Sequence, residues 1–189
     1  MIILLMGMKH CGKSTIGRRL GRRWQVEFHD ADDLTCAAHG ARTGEDLGFR
    51  EIYTRYGKAY FRQCEARAVS EFFAGRVDSD KISLLSLGGG TAQNAGTADV
   101  LKQARLKVYL HVDPDELLQR IRRTGIPAFL DADDVEGSFA RLYQQREPVY
   151  RELADLTVEL TGLSKAGAAE KTAGAIETRL ADRRLPCPS

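Results

Sequence analysis

The stretch that decides the fold is MIILLMGMKHCGKSTIGRRL, residues 1–20. Its first six residues form a short apolar run, which is typical of a β-strand buried on both faces. Residues 7–14 match the pattern G-x-x-x-x-G-K-[ST] at every fixed position. Ile16, Leu20 and Trp24 then follow at four-residue spacing, which predicts an amphipathic helix. A strand, a glycine loop and a helix in this order predict a nucleotide-binding unit.

Each fixed residue of the loop has a predicted task. Gly7 and Gly12 let the backbone approach phosphate groups, which bind main-chain N–H groups and the positive end of the following helix. Lys13 is expected to reach the β- and γ-phosphates of a nucleotide as a binding and catalytic residue, and Ser14 to ligate Mg²⁺. Thr15 completes the predicted set of nucleotide-binding residues.

Lys9 and His10 occupy variable positions of the same loop. Either residue could add positive charge near the phosphates, but charged loop residues are more often solvated. We therefore expect both side chains to face solvent.

Length and composition limit the possible classes of protein. The 189 residues fit one domain, and the net charge of +2 is too small to indicate nucleic-acid binding. No apolar segment approaches about 18 residues, so no membrane span is predicted. The four cysteines show neither a CxxC pair nor zinc-site spacing, and the start lacks a signal-peptide pattern. The expectation is a cytoplasmic, monomeric protein whose partner is a small molecule.

Strand-like apolar runs alternate with helical patterns along the chain, which predicts an α/β domain with a five-stranded parallel sheet flanked by helices. We expect one domain over residues 1–189, with breaks near Gly44 and Gly57 in its long helical region. The predicted strands are 1–6, 26–32, 81–87, 106–112 and 156–160. The predicted helical regions are 14–24, 33–76, 97–104, 113–123, 135–154 and 164–184.

Two further groups of residues lie at the ends of predicted strands. Asp30 and Asp32 end the second strand, and residues 88–90 are three glycines directly after the third. Ligands in open parallel sheets bind at the carboxyl ends of strands, and alternate strand residues point the same way. Both carboxylates are expected to face a cleft, with a helix N-cap as the alternative for one of them. The glycines are expected to contact a ligand, with a flexible turn as the alternative.

The loop alone leaves the phosphate acceptor open. The chain is too short for a motor domain, and it contains no N/T-K-x-D guanine-specificity motif. A small-molecule kinase is therefore the favoured class.

Five motifs, with their spacing, resemble the shikimate kinase family over residues 1 to about 160: GMKHCGKST, FHDADDL, YGKAYFRQCEARAV, SLGGGTAQN and QREPVYRELADLTV. The resemblance implies a P-loop kinase fold, ATP and Mg²⁺, and phosphorylation of shikimate to shikimate 3-phosphate in aromatic amino-acid biosynthesis. The alternatives are a kinase for another small hydroxy acid or polyol, and a nucleotide-binding relative of low activity.

The resemblance also implies roles for individual residues. Asp30 would help to hold Mg²⁺, and Asp32 would take the acceptor hydroxyl and its proton. Arg62 would bind the substrate carboxylate through two parallel hydrogen bonds, with Glu65 orienting it. Taken from the residues alone, Arg62 and Glu65 are three apart on a predicted helix, which also fits a surface ion pair. Arg146 would be the second substrate arginine.

Further positions carry weaker implications of the same resemblance. Gly88, Gly89 and Gly90 are assigned to substrate binding, within a substrate-binding helical region formed mainly by residues 33–76. Arg123 matches an arginine that packs on the adenine or reaches the phosphates. Tyr53 and Phe61 match aromatic positions of the substrate pocket, although aromatics at helical spacing are more often core residues.

The resemblance is incomplete at the predicted lid, residues 124–134. The family usually carries Arg-Pro-Leu-Leu there, and its arginine bridges the transferred phosphate and the substrate. The matching stretch in this chain begins at Ile126-Pro127, so Ile126 occupies the position of that arginine. Loss of a charge-assisted hydrogen bond costs about 1.5–3 kcal/mol. The lid therefore predicts slow turnover of shikimate, a different acceptor, or a relative that keeps the fold without the reaction.

Overall fold

The computed structural model describes residues 1–76, 81–127 and 129–182. Its strands form one parallel sheet in the order β2-β3-β1-β4-β5, which confirms the predicted five-stranded parallel sheet flanked by helices. The strands are β1 (Ile2–Met6), β2 (Glu27–Asp30), β3 (Ser83–Ser86), β4 (Leu106–His111) and β5 (Leu156–Glu159). The helices are α1 (Lys13–Trp24), α2 (Ala31–Thr43), α3 (Phe49–Ala74), α4 (Ala98–Lys102), α5 (Pro114–Thr124), α6 (Val135–Leu153) and α7 (Lys165–Asp182).

Strand β1 lies in the middle of the sheet, and all five of its residues are buried. A strand covered by helices on both faces needs a continuous apolar sequence, which IILLM provides. Beyond the paired residues of β1 and β3, the Leu87 N–H donates to the Leu5 carbonyl at 3.0 Å. This bond places the loop after β1 directly beside the glycine segment after β3.

The second strand is shorter than predicted. It ends at Asp30, so Asp32 lies in the first turn of α2 rather than on the strand. The Asp30 carboxylate accepts a hydrogen bond from the Asp32 N–H at 3.1 Å, which makes Asp30 the N-cap of this helix. The expectation that both aspartates lie on the strand is therefore wrong, and the N-cap alternative holds for Asp30.

The long helical region 33–76 consists of two helices. Gly44 ends α2 with a left-handed φ of 77°, a conformation that glycine adopts without strain. Within α3, Gly57 has a φ of 80° and interrupts the helical geometry. Both predicted breaks are confirmed.

Other boundaries differ by a few residues. The predicted helix 97–104 is α4, preceded by two short 3₁₀ turns at Thr91–Gln93 and Ala95–Thr97. The carboxylate of Asp113 accepts from the Asp115 N–H at 2.9 Å and caps α5, whose first residue is Pro114. Residues 125–134 connect α5 to α6. Residue 128 lies outside the described ranges, and so do the predicted helix end at 183–184 and the tail. Within the described ranges, no helix combines the length and apolar character needed to cross a bilayer.

Gly17 marks a close approach of α1 to β2. A Cβ atom added there would lie 2.1 Å from Cε2 of Phe28, whereas one added to Gly174 on α7 would have no described atom within 4 Å. We predict that Gly17→Ala lowers the free energy of unfolding by about 1–3 kcal/mol through overpacking. The matched control Gly174→Ala should raise it by up to about 1 kcal/mol, because alanine favours helix. Urea denaturation measures both values, and a stabilising Gly17→Ala would contradict the packing.

Candidate active site

A cavity of about 340 Å³ lies at the carboxyl ends of β2 and β3, beside the loop that follows β1. Its walls come from that loop, from α2, α3 and α6, from the glycine segment and from the lid. The predicted site residues that line it are Gly12, Lys13, Ser14, Thr15, Asp30, Asp32, Arg62, Gly88, Gly89, Gly90 and Arg146. Most of the predicted site is therefore brought together in one place.

The phosphate-binding loop holds its lysine in a defined position. The Lys13 ammonium donates hydrogen bonds to the carbonyls of Gly7 and Met8, each at 2.9 Å, and its side chain is buried. At the edge of the loop, the Ser14 hydroxyl donates to the Asp30 carboxylate at 2.6 Å. The loop thus presents a buried cation beside a hydroxyl and a carboxylate.

Gly7 is absent from the described residues that line this cavity or the neighbouring one. Its φ is 147°, and a Cβ atom there would lie 2.6 Å from the Leu110 carbonyl oxygen and 2.9 Å from the Cys11 Sγ. Its small size therefore lets the end of β1 pack against β4. Its direct contact with a nucleotide stays a prediction.

The expectation that Lys9 and His10 face solvent is wrong. Both side chains are half-buried and line the cavity. The His10 carbonyl accepts a hydrogen bond from Arg120 at 2.9 Å, and its Nδ1 lies 3.3 Å from the Thr124 hydroxyl. Burial, followed by the charges of nearby Lys and Arg side chains, lowers the pKa of His10, which favours the neutral ring.

Asp32 has an electrostatic environment suited to proton transfer. Burial, assisted by the Asp30 carboxylate, raises the pKa of Asp32 to about 6, against the opposing charge of Lys13. A Cβ atom at Gly88 would lie 2.9 Å from its Oδ1, so the carboxylate lies directly against the glycine segment. A general base functions best with a pKa near the working pH.

Glu65 holds Arg62 through a hydrogen bond from the buried side of the site. The alternative of a surface ion pair is therefore wrong. The Glu65 carboxylate, almost fully buried, accepts hydrogen bonds from Arg62 at 2.6 Å, Thr91 at 2.7 Å and Asn94 at 2.9 Å. A buried carboxylate with three donors holds the guanidinium in one orientation. The other end of that guanidinium faces Gly90, where an added Cβ atom would lie 2.2 Å from Nη2.

Arg146 reaches the same glycine segment from α6. Its Nη1 lies 3.0 Å from the position of a Cβ atom on Gly89, and its Nη2 lies 3.2 Å from that on Gly90. Burial lowers the pKa of this guanidinium, and its Nε has no hydrogen-bond partner within the described residues. Two arginines thus converge at Gly90, an arrangement that suits an anionic ligand.

Arg123 lies apart from this cluster. It lines a neighbouring cavity of about 680 Å³ together with Arg120 and Lys165. The two cavities share His10 and Gly12 of the phosphate-binding loop and Thr15 at the start of α1. Arg123 therefore lies beside the phosphate-binding loop and apart from Arg62 and Arg146, and its role with the nucleotide stays a prediction.

Several residues of the site carry no clear sequence signal. Lys9 and Phe49 follow no motif spacing, and Phe129 lies in a loop. Thr91, in contrast, directly follows the three glycines, and Asn94 comes three residues later. Polar residues this close to a predicted ligand-binding segment could have indicated a place in the site. Tyr53 and Phe61 do line the cavity, as the resemblance implies.

The oxygen atoms beside the loop fit Mg²⁺. This cation takes one or two carboxylates together with phosphate oxygens and water, and Ser14 and Asp30 supply a hydroxyl and a carboxylate at 2.6 Å from each other. Among the described residues, no group of three or more His, Cys, Asp or Glu forms a ready metal site. The metal would therefore need the phosphates of the nucleotide to complete its ligands.

These features suit phosphoryl transfer from a nucleotide to a small anionic molecule, which is the chemistry of a small-molecule kinase. The shikimate kinase family model matches residues 9–177. Shikimate kinase of Bradyrhizobium diazoefficiens is 36% identical over 156 residues, 82% of this chain and 70% of that protein. That of Halorhodospira halophila is 35% identical over 175 residues, 93% of each chain. The chain therefore belongs to the shikimate kinase family.

Solved structures agree with this assignment. Shikimate kinase from Acinetobacter baumannii, in complex with shikimate, is 29% identical with a TM-score of 0.78, covering 98% of this chain and 95% of that one. Thymidylate kinase from Candida albicans, at 13% identity and a TM-score of 0.60, covers 95% of this chain and 92% of that one and shows the fold alone. The predicted P-loop kinase fold is confirmed.

The environment of Asp32 generates a stability prediction. Because its folded-state pKa of about 6 lies above the ordinary 3.8, its ionised form costs stability above pH 6, and the cost fades as the pH falls toward 3.8. We predict that Asp32→Asn raises the free energy of unfolding by about 1–3 kcal/mol near pH 7.5, and by less near pH 4.5. Asp33→Asn, at an exposed neighbour, should change it little. Equal effects of both variants in denaturant titrations would contradict this environment.

Proposed function

We propose that this chain transfers the γ-phosphoryl group of ATP to a hydroxyl of shikimate and forms shikimate 3-phosphate. The observation that carries the proposal is the convergence of Arg62 and Arg146 at Gly90, in the cavity that also contains the phosphate-binding loop. A planar guanidinium binds a carboxylate through two parallel hydrogen bonds. The fold thus supplies an acid-binding end and a phosphate-binding end within one cavity.

The nucleotide end uses the loop and the start of α1. Backbone N–H groups and the positive helix end bind the phosphates, and Lys13 reaches the β- and γ-phosphates. Gly12 and Thr15 lie where the two cavities meet, and Arg123 lines the second cavity, which would take the nucleoside part. Ser14 and Asp30 would hold Mg²⁺, which when bound would neutralise phosphate charge.

The acceptor end uses Asp32 as its base. The carboxylate receives the hydroxyl proton while the acceptor oxygen forms its bond to the γ-phosphorus. The bond from that phosphorus to the bridging oxygen of ADP breaks, and Lys13 stabilises the charge that develops there. Gly88, Gly89 and Gly90 allow the acceptor to approach the backbone, because a side chain at any of them would meet Asp32, Arg62 or Arg146.

A neutral polyol suits this cavity less well than an acid. Two guanidinium groups beside Gly90 would lose water without gaining an anionic partner, which is costly. Another small hydroxy acid is the second candidate, and the observation that favours it is Ile126, an exposed apolar residue in the lid. Ile126 cannot supply the charged contact that an arginine would make at that position.

A monomeric state and a cytoplasmic location belong to the same proposal. Cys11, Cys36 and Cys64 are free thiols, which suits a reducing compartment.

The proposal predicts selection for an acid. Shikimate should support ADP release in a coupled assay, and its uncharged methyl ester should show a kcat/KM about 10- to 150-fold lower, because charge-assisted hydrogen bonds are lost. Arg62→Lys and Arg146→Lys should each raise the KM for shikimate and leave the KM for ATP nearly unchanged, because lysine lacks the planar fork. No ADP release with shikimate, or equal use of acid and ester, would refute the proposal.

The proposal also predicts a pH dependence. Asp32 must be ionised to accept the proton, and its pKa is about 6. We expect kcat/KM for shikimate to rise as the pH increases through about 6 and then to level off, because kcat/KM reports the ionisation of the free enzyme. Calorimetry of ATP binding over the same pH range serves as the control. A flat profile from about pH 5 to 8 would rule out Asp32 as the base.

A further inference from the structure

The side chain of Lys9 crosses the cavity between the loop and the lid. Its ammonium lies 5.5 Å from the ring centre of Phe49 at the start of α3, and 5.4 Å from that of Phe129 in the lid. Both rings line the same cavity. Aromatic faces attract a cation and shield it from water at the same time.

The backbone of Lys9 lies close to the acceptor end. Its N atom is 3.7 Å from the position of a Cβ atom on Gly89, the glycine that Arg146 approaches from the other side. Lys9 therefore belongs to the nucleotide loop and borders the segment assigned to the acceptor. A phosphoryl group that moves from one end to the other must pass along this boundary.

The other cations that line the cavity differ in their contacts, and the proposed function assigns Arg146 to the substrate carboxylate. Lys13 donates to carbonyls at the base of the loop, and Arg62 is bound to Glu65. Arg50 also lines the cavity, but it is an exposed residue. In the lid, Ile126 offers no charge. Lys9 is thus a half-buried cation that lies, together with Arg146, beside Gly89 at the boundary between the loop and the glycine segment.

We propose that Lys9 is a further catalytic residue, which places its ammonium against the equatorial oxygens of the phosphoryl group during transfer; this inference rests on the proposed kinase function. In the transition state, negative charge is distributed over those oxygens. A cation held near them in a cavity with little water stabilises that transition state.

The test compares Lys9→Met, Lys9→Arg and Lys171→Met with the wild type, using ATP and shikimate. Methionine keeps an unbranched side chain without charge, and Lys171 is an exposed residue of α7 that provides the charge-matched control. We expect Lys9→Met to lower kcat about 10- to 100-fold, with both KM values changed less than about threefold, because the contact forms in the transition state. Lys9→Arg should restore kcat to within about fivefold, and Lys171→Met should equal the wild type.

Two further measurements separate this role from a general effect. Calorimetry should show that Lys9→Met binds ADP as the wild type does, since ADP lacks the transferred group, and thermal melting should show a folded domain. An unchanged kcat, a loss of ADP affinity equal to the loss of kcat, or an equal fall in kcat for Arg50→Met would each overturn the inference. If the wild type itself fails to phosphorylate shikimate, the proposed function fails first.

Discussion

The hydrogen bond from the Leu87 N–H to the Leu5 carbonyl, 3.0 Å long, is the contact on which the site depends. It continues the parallel pairing of β3 with the central strand and fixes the two chain segments that leave the sheet side by side. One segment is the phosphate-binding loop, and the other contains three glycines. Because parallel strands end at the same edge, the loop after β1 and the glycine segment after β3 border the same cavity.

The charged side chains of this cavity are partly buried, which costs free energy, and contacts with other charged or polar side chains offset part of that cost. Arg62 and Arg146 meet at Gly90, where any side chain would collide with a guanidinium. The buried Glu65 carboxylate balances one of these charges and ties α3 to the turn at Thr91 and Asn94. Asp32 remains the unfavourable member, since its burial raises its pKa to about 6. A raised pKa of this kind is typical of functional sites, and it supports the proposed role of Asp32 as the base.

Much of the fold could be predicted from the sequence, because its signals are local. The apolar run of β1, the loop pattern and Pro114 after Asp113 each specify structure through neighbouring residues. The end of β2 was misplaced since an aspartate favours both a strand end and a helix cap, and the choice depends on a hydrogen bond from the Asp32 N–H. The two breaks in the helical region could be predicted because glycine readily adopts positive φ angles, and Gly44 and Gly57 both have them.

Some residues of the candidate site could be predicted from the sequence and others could not. Motif residues such as Lys13 and Asp32 have fixed spacing and could be placed. The direction of Lys9 depends on Phe49 and Phe129, which are distant in sequence and meet only in the folded chain. Gly7 shows the reverse case, since its motif position suggested the nucleotide while its contacts lie with Leu110 of β4.

The most direct measurement is a crystal structure of the chain grown with ADP and shikimate. In the proposed function, one cavity holds the phosphates at the loop and the acid at the two arginines. We predict the shikimate carboxylate on Arg62 and Arg146, with a ring hydroxyl within hydrogen-bond distance of Asp32 and facing the phosphate end of ADP. Shikimate bound outside this cavity, or turned with its carboxylate away from both arginines, would contradict the proposed function.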